Sequence, residues 1–494
     1  MSEEIPALVV GGSLVGLSAA VFLRSRGVPV VLVEPHLGSS PHPRAIGYTA
    51  RTLELFVSVG LDVPQAPPGF RLKRRKVHSL AGEWTTESDW TPERAGPPVA
   101  KAPESPMTGA AIAQDALEPM LRQRARELGA DLRLGFELVR FEQDAGGVTA
   151  WVRERGTGNE SAIRAQYMVA CDGGPSPVRE SLGIKRSGRG HLRTMRSVLF
   201  RAPLEKYLES GVHQFEIEQP GFQAFLTTYN DGRWVLMFGD DVERSREELL
   251  TAVRKAIGRD DVPIEIITTG RWELTALIAD SFSKGRVFLA GDSAHQLPPT
   301  RGGYGANTGI HDAHNLAWKL AAVLSGESSP KLLETYDAER RPVAWNRMLQ
   351  TFARPEYARE ANGIADGVTI ADEVAMELGQ LYRSSAILGA GPELPHAATP
   401  AEWKGQPGTR APHVWLERDG KRVSSLELFG KEWVTLTFES APEPLRQALG
   451  LAPGEASLVR PDGYIAFRGP QAQVAEARAT VSHAAASRAY ARQA

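Results

Sequence analysis

The sequence predicts an α/β protein in which a buried parallel sheet is combined with an antiparallel sheet. Apolar runs at 5–10 and 28–33 flank a segment of small and apolar residues at 14–26, which is the strand–helix–strand pattern of a βαβ unit. Residues 197–239 instead hold short β-rich stretches separated by turn residues such as Asn230-Asp231-Gly232. Because the two patterns differ in kind, we expect two types of sheet.

The composition indicates a folded protein of several domains. The length of 494 residues suggests about three domains. A net charge of −2, from 57 basic and 59 acidic residues, argues against a general nucleic-acid binder. The single cysteine, Cys171, excludes an intrachain disulfide and cysteine-based zinc or iron–sulfur sites. No apolar run approaches the ~20 residues of a membrane span and no signal peptide is visible, so we expect a cytoplasmic protein without membrane contact.

Further elements follow along the chain. Periodicity predicts helices at 49–59, 112–129, 245–257 and 309–324, and strands at 131–141, 147–153 and 285–290. Residues 68–108 are rich in proline and are expected to be irregular structure or an inserted piece. After about residue 405, short strands (HVWL, WVTLTF, YIAF) alternate with turns and are followed by an Ala-rich helix.

The first candidate ligand site is the loop of residues 11–16 (GGSLVG), between the first strand and its helix. Glycines permit a tight turn, a close backbone approach to a pyrophosphate, and close packing of the helix on the strand. The amides at the helix start favour phosphate oxygens. Glu34 ends the second strand, where its carboxylate can accept hydrogen bonds from ribose hydroxyls. Ser13 departs from the pattern, because its Cβ limits the backbone approach.

Two later loops also follow predicted strands. Residues 171–179 (CDGGPSPVR) follow YMVA, and residues 291–295 (GDSAH) follow VFLA. The latter continues through Pro298-Pro299 and the glycine-rich stretch 302–309 into a helix. An aspartate at a strand end suits a polyol hydroxyl, and a glycine-rich loop that opens a helix presents amides to an anionic acceptor.

Together these motifs resemble the FAD-dependent aromatic hydroxylases, the class A flavoprotein monooxygenases. HPRAIGYTARTLELF at 42–56 and AQDALEPMLRQRARELG at 113–129 also match the pattern of that family, and the resemblance covers almost the whole chain. The chain is similar to the polyketide-tailoring branch that includes aklavinone hydroxylase. The resemblance implies a Rossmann-like FAD-binding domain of the p-hydroxybenzoate hydroxylase type (1–68, 109–185 and 275–395). It further implies a middle, antiparallel-sheet substrate domain (69–108 and 186–274) and a shortened thioredoxin-like C-terminal domain (396–494).

The resemblance also implies roles for individual residues. Arg44 would pair with the FAD phosphates, and Gln114 would reach FAD from its helix. Asp292 would bind the ribityl chain, while the segment that begins at Asp172 would shape the cleft. The implied cofactor-binding residues are Gly11, Ser13, Leu14, Val15, Gly16, Glu34, Arg44, Gln114, Asp172, Asp292, Pro299, Gly305, Ala306 and Asn307.

The activity implied by the resemblance is hydroxylation of a polycyclic aromatic polyketide with NAD(P)H and O₂, through a flavin C4a-hydroperoxide. A phenol has a pKa of about 10, so a nearby cation would favour the reactive phenolate. Arg383 and Tyr229 are the candidates for orienting and activating the substrate. The alternatives are an antibiotic-inactivating or Baeyer–Villiger flavin monooxygenase and a non-catalytic flavoprotein-like binding subunit. The choice between NADH and NADPH and the oligomeric state, with a homodimer as one option, stay open.

Several residues have simpler interpretations. Arg51 and Glu54 have the spacing of an i,i+3 surface pair. The histidines at 295, 311 and 314 have no cysteine or acidic cluster with ligand spacing beside them, so no metal site is predicted. A tail without cysteine cannot carry out thiol redox chemistry, so a packing or oligomer role is expected. The apolar side chains of 213–238 suit a large, flat ligand, and Arg233 is the only basic residue there; these apolar side chains are Phe215, Phe222, Phe225, Trp234, Met237 and Phe238.

Overall fold

The computed structural model describes residues 3–42, 45–67, 73–89, 104–209, 211–299 and 303–483. The strands, in chain order, are β1 Glu3–Val10, β2 Val30–Glu34, β3 Gly47–Tyr48, β4 Lys73–Val77, β5 Trp84–Asp89, β6 Ala110–Ala111, β7 Asp131–Leu134, β8 Phe136–Gln143, β9 Val148–Glu154, β10 Glu160–Ala170, β11 Arg186–Arg201, β12 Val212–Gln219, β13 Phe222–Thr228, β14 Arg233–Phe238, β15 Glu265–Ala279, β16 Ser283–Lys284, β17 Val287–Leu289, β18 His295–Gln296, β19 Trp415–Arg418, β20 Lys421–Ser424, β21 Val434–Thr437, β22 Glu455–Val459 and β23 Ile465–Pro470. The helices are α1 Leu14–Ser25, α2 Ala50–Ser58, α3 Gln114–Glu127, α4 Pro177–Ser181, α5 Arg246–Ile257, α6 Tyr304–Leu324, α7 Lys331–Phe352, α8 Ala358–Ala361, α9 Glu373–Leu378, α10 Pro400–Trp403, α11 Glu443–Leu449 and α12 Val474–Val481.

The predicted βαβ start is confirmed as the centre of a mixed sheet. The strand order is β16-β17-β10-β1-β2-β7, and the five strands from β17 to β7 run parallel. The hairpin of β8 and β9 extends from β10. Strand β1 is buried along its second half and β2 along most of its length, as continuous apolar runs require. The carboxyl ends of β1, β10 and β17 therefore lie side by side.

The predicted antiparallel sheet is larger than the sequence indicated. Its order is β18-β15-β11-β14-β13-β12-β4-β5, and all neighbours are antiparallel except β12 and β4. The expectation of irregular structure at 68–108 is wrong for 73–77 and 84–89, because these residues pair with β12 and with each other. This pairing joins segments far apart in sequence, so no local pattern signals it. Residues 68–72 and 90–103 lie outside the described residues.

The C-terminal region forms the antiparallel sheet β21-β22-β23 and the hairpin β19-β20, so the strands predicted in the tail are confirmed. The long helix α7 was not predicted. Helix α6 starts five residues earlier than expected, because Gly303 takes the left-handed conformation (φ 56°) and lets the helix begin at Tyr304. Among the described residues, no helix combines the length and the apolarity needed to cross a bilayer.

Candidate functional site

The three loop motifs meet at the carboxyl edge of the parallel sheet. A Cβ added to Gly11 would lie 2.3 Å from the carbonyl oxygen of Cys171, so the first two loops are in direct contact. A Cβ on Gly291 would lie 2.8 Å from Cγ2 of Val15, so the third loop packs on the start of α1. The sequence motifs therefore build one cleft from three separate parts of the chain.

The glycines of the first loop fulfil the predicted packing roles. Gly11 has a φ of 100°, a conformation that L side chains rarely adopt. A Cβ on Gly16 would lie 1.8 Å from the carbonyl oxygen of Gly11, so only glycine lets α1 approach β1 this closely. The N-cap residue Ser13 makes no capping hydrogen bond, which leaves the amides of the first helical turn without a side-chain partner. An uncapped helix start beside a glycine turn fits the pyrophosphate of FAD.

Glu34 borders the same loop. Its Oε2 accepts a hydrogen bond of 2.6 Å from the amide of Gly12, and its Oε1 accepts one of 2.9 Å from the amide of His36. These bonds hold the carboxylate at the end of β2, at the edge of the cleft. The position fits the predicted contact with the adenosine ribose.

Ser13 is hydrogen-bonded to a polar cluster on α3. Its Oγ donates to Oε1 of Glu118 (2.7 Å) and accepts from Nε2 of Gln114 (2.9 Å). The amide of Ala45 donates to Oε1 of Gln114 (3.3 Å), and the amide of Gln114 donates back to Ala45 (2.9 Å). Gln114 thus anchors the segment next to Arg44, which itself lies outside the described residues.

Asp172 organises its own loop. Its two oxygens accept hydrogen bonds from Oγ of Ser176 (2.7 Å) and the amide of Val178 (3.0 Å). Burial raises the pKa of this carboxyl group. The buried Arg179 donates to the carbonyls of Gly174 and Ser293 (both 3.0 Å) and so ties the second loop to the third. A direct contact of Asp172 with the cofactor stays a prediction.

Asp292 lies in the 3₁₀ turn Gly291–Ser293 that follows β17. The side chain is half-buried, and its carboxylate has no hydrogen-bond partner in the part of the chain that the structure describes. A carboxylate in this state keeps its full capacity to accept hydrogen bonds, which suits the hydroxyls of a ribityl chain. The turn itself is fixed, because the amide of Gly291 donates to Oδ2 of Asp312 (3.2 Å).

The start of α6 closes the cleft. The Nδ2 of Asn307 donates to the carbonyls of Gly303 (2.8 Å) and Gly47 (3.1 Å), and its Oδ1 accepts from Oγ1 of Thr52 (2.6 Å). Asn307 therefore binds β3 and α2 to the helix start through its side chain. No atom of the described residues would lie within 4 Å of a Cβ on Gly305, so none of them covers the first turn at this position. This arrangement leaves the first turn of α6 available to an anionic flavin edge. The preceding exposed Pro299 accepts a hydrogen bond from the hydroxyl of Tyr357.

Sequence reasoning missed the buried network behind this cleft. Asp312 on α6 accepts hydrogen bonds from Nε2 of His295 (2.6 Å) and Nε of Arg340 (2.7 Å). Nε2 of His311 contacts Thr52 (3.0 Å), and no group of three metal-ligating side chains occurs among the described residues. The sequence signal for this network is Asp312 inside an apolar helix, because a buried carboxylate needs charged partners.

Arg51 and Glu54 do not form a surface pair, so that expectation is wrong. Both are buried, and Glu54 also accepts hydrogen bonds from Nε (2.9 Å) and Nη2 (2.6 Å) of Arg410 in the C-terminal region. Arg51 donates to the carbonyl of Asp462 (3.3 Å) in the same region. The pair is covered because the C-terminal region packs against α2, which the spacing of two residues does not reveal.

Tyr229 lies where the antiparallel sheet meets the segments that border the cleft. It is buried in a cluster with Leu199, Val235 and Met237 of the sheet, against Ile46 and Ala113 beside the cleft. Burial raises the pKa of the Tyr229 phenol, so it stays protonated at neutral pH. Arg233 approaches its ring at 5.3 Å and forms a two-point ion pair with Asp115 on α3 (2.6 and 3.1 Å).

The aromatic side chains of this sheet divide between its two faces. The buried Phe215, Trp234 and Phe238 pack in the cluster that includes α5, so the expectation that they face the ligand is wrong for these three. Phe225 and Met237 are opposite each other on the other face and are partly exposed. The expectation that Arg233 is the only cation there is also incomplete, because β4 adds Arg74, 5.2 Å from the Phe225 ring.

Arg383 is not brought next to Tyr229 by any contact that the structure describes. Its guanidinium donates to the carbonyls of Gly391 (3.0 Å) and Leu394, within its own connecting segment. These bonds argue for a role in holding that segment. Its predicted role toward the substrate stays a prediction.

Comparison with known proteins agrees with this geometry. The family model described as FAD binding domain matches residues 4–351. Tetracenomycin B2 monooxygenase-dioxygenase of Streptomyces olivaceus is 37% identical over 519 residues, with 94% of this chain and 95% of the relative covered. The 4-methyl-5-nitrocatechol 5-monooxygenase of a Burkholderia species is 38% identical over 530 residues, with 94% of each covered. The solved ternary complex of aklavinone-11 hydroxylase with FAD and aklavinone has a TM-score of 0.85 and 32% identity, and the match covers 98% of this chain and 99% of that one.

Proposed function

The chain belongs to the FAD binding domain family and is an FAD-dependent hydroxylase, and we propose that it hydroxylates a polycyclic aromatic polyketide with NAD(P)H and O₂. The observation that carries the substrate class is the inner face of the antiparallel sheet, where Phe225 and Met237 are paired and partly exposed, and where Met237 packs in the Tyr229 cluster. Apolar side chains of this kind bind a multi-ring ligand through buried area. The relatives named for tetracenomycin B2 and aklavinone support the same class. We place the reaction in the cytoplasm, where NAD(P)H is available.

Bound FAD would supply the redox chemistry that activates O₂. The residues of this chain would bind and orient the reactants. Asp292 would accept hydrogen bonds from the ribityl hydroxyls, and the first-turn amides of α6 would stabilise negative charge on the flavin. Tyr229, which stays protonated, would help to orient the substrate ring. The apolar cluster around Tyr229 would exclude water.

A small phenol is the second candidate substrate. The relative named for 4-methyl-5-nitrocatechol is as similar to this chain as the polyketide enzymes are. Arg74 provides a cation on the inner face of the sheet, although it is already bonded to Glu216 (2.8 Å) and Gln214 (3.3 Å). A cation that already has these partners favours a charged small ligand less than a free one would.

The test compares substrate-stimulated NADPH oxidation and product mass over a panel of tri- and tetracyclic polyketides and simple phenols. We expect one added oxygen in a polycyclic product, and a kcat/KM lowered at least tenfold in Phe225→Ala. The matched control is Phe222→Ala, since Phe222 is on the same strand but belongs to the cluster packed with α5. If 4-hydroxybenzoate or phenol has a higher kcat/KM than every polycycle, the polyketide assignment is wrong.

A further inference from the structure

A continuous path of buried contacts joins the C-terminal sheet to the FAD-binding turn. The path starts at Tyr464, which precedes β23. Its ring stacks on that of Tyr382, with the centroids 4.1 Å apart and the planes 9° from parallel. The hydroxyl of Tyr382 accepts a hydrogen bond of 2.7 Å from Nη1 of Arg340 on α7. All three side chains are buried, so water does not compete for these contacts.

Arg340 also forms two hydrogen bonds on the side of the cleft. Its Nε donates to Oδ1 of Asp312 (2.7 Å), and its Nη2 donates to the carbonyl of Thr308 in α6 (3.1 Å). The other oxygen of Asp312 accepts from the amide of Gly291 (3.2 Å) and from Nε2 of His295 (2.6 Å). Gly291 opens the turn that carries Asp292. One guanidinium therefore binds both α6 near its start and the carboxylate that anchors the turn.

The orientation of a buried guanidinium depends on the partners of all its donors. Arg340 is 1% exposed, so a guanidinium N–H that loses its protein partner cannot form a hydrogen bond with solvent water instead. Nη1 has the Tyr382 hydroxyl as its partner, and the plane of that ring is held by Tyr464. A shift of Arg340 would displace Asp312, because the two are joined by a direct ion pair.

We propose that Tyr382 and Tyr464 are positioning residues for FAD, through which the C-terminal region holds the Gly291–Ser293 turn in its binding geometry. This goes beyond the packing role expected for the tail. It rests on FAD binding at that turn and does not depend on which substrate is hydroxylated.

The test measures FAD dissociation constants by equilibrium dialysis and the melting temperature of the apoprotein. Tyr382→Phe removes the hydroxyl that accepts from Arg340 and keeps the ring, whereas Tyr464→Leu removes the stacked ring. The control is Arg410→Gln, which weakens the contact of the C-terminal region with Glu54 on α2 and does not touch Arg340. We expect the dissociation constant for FAD to rise about fivefold in Tyr382→Phe, the effect of about one hydrogen bond. It should also rise in Tyr464→Leu, because the Tyr382 ring loses the partner on which it stacks.

The comparison with the control separates positioning from stability. If Arg410→Gln lowers the melting temperature by as much as Tyr382→Phe but leaves FAD affinity unchanged, positioning is supported. If the control weakens FAD binding equally at the same loss of melting temperature, or if Tyr382→Phe binds FAD within twofold of the parent, the proposal is overturned. A parent protein that binds FAD but hydroxylates no aromatic compound would contradict the proposed function alone.

Discussion

At the scale of single residues, the polar side chains around the cleft differ in whether they have hydrogen-bond partners within the protein. The carboxylates of Glu34 and Asp172 each accept at least two hydrogen bonds from backbone or side-chain groups of the protein. The carboxylate of Asp292 has no such partner within the described residues. Substitution of Asp292 therefore removes little from the fold itself, and its effect is expected in ligand binding.

Asp292→Ala is expected to weaken FAD binding by about 1.5–3 kcal/mol, because a charge-assisted hydrogen bond to the ribityl chain is lost. The apoprotein should keep its melting temperature. Equilibrium dialysis of FAD from both proteins measures the difference. The role of Asp292 is wrong if the variant retains FAD as well as the parent does.

At the scale of elements, the cleft depends on how closely α1, α6 and the Gly291–Ser293 turn pack. A Cβ on Gly309 of α6 would lie 2.5 Å from Cγ2 of Val15 and 2.8 Å from Cα of Gly291. Both distances are far below ordinary contact, and one of them involves backbone. Glycine at 309 is therefore required by the approach of three elements and not by the conformation of the helix.

Gly309→Ala is expected to destabilise the apoprotein by about 1–3 kcal/mol, because the added methyl forces the elements apart. The control is Gly305→Ala on the same helix, where a Cβ meets no atom of the described part of the chain within 4 Å. Alanine favours helix, so this variant should be as stable as the parent or more so. Urea unfolding of the two apoproteins measures the contrast. Equal stabilities would show that the close packing of Gly309 does not constrain the fold.

At the scale of the whole molecule, buried ion pairs hold the C-terminal region against helices α2 and α7. Arg460 pairs with Glu339 on α7 (2.6 Å), and Arg410 pairs with Glu54 on α2 (2.6 Å). All four side chains are buried. Loss of one partner from such a pair costs several kcal/mol, because the other charge stays buried. The packing of the C-terminal region on α2 and α7 thus depends on ion pairs as well as on buried apolar area.

The buried histidines make this fold sensitive to acid. Burial and the nearby Arg410 lower the pKa of His413 to about 4. Burial also lowers the pKa values of His311 and His314. An unfolded histidine has a pKa of about 6.5. As pH falls from about 6.5 to 4, the unfolded chain therefore binds more protons than the folded one, so stability falls.

We expect the melting temperature to decrease steadily between pH 7.5 and 5. His413→Asn should reduce that slope, because asparagine does not titrate and can keep the hydrogen bond to Ser424 Oγ, now 2.9 Å from the ring Nδ1. His78→Asn, at an exposed position, is the control and should leave the slope unchanged. A slope that is the same in all three proteins would contradict this account.

Much of the cleft was predictable from local sequence. The βαβ start, the glycine loop, Glu34 and the two later strand-end loops follow from apolar runs and turn residues, because these patterns set the conformation of adjacent residues. The structure then brings these loops together, because the carboxyl ends of the neighbouring parallel strands β1, β10 and β17 share an edge. The family resemblance added an FAD-binding domain, which the match over residues 4–351 confirms, while the roles of the individual residues stay predictions.

Other features were decided only by the tertiary structure. The strand formed by Lys73–Val77 is defined by its pairing with β12, more than a hundred residues away in the chain. The division of Phe225 and Trp234 between two faces depends on which face α5 covers. The burial of Glu54 and the linkage of Arg340 to both Tyr382 and Asp312 require three elements to meet. Sequence pattern reports the conformation of neighbours along the chain, whereas the partners of a buried charge are set by long-range packing. The contacts of Asp312 with Arg340 and with the Gly291–Ser293 turn are therefore visible only in the fold.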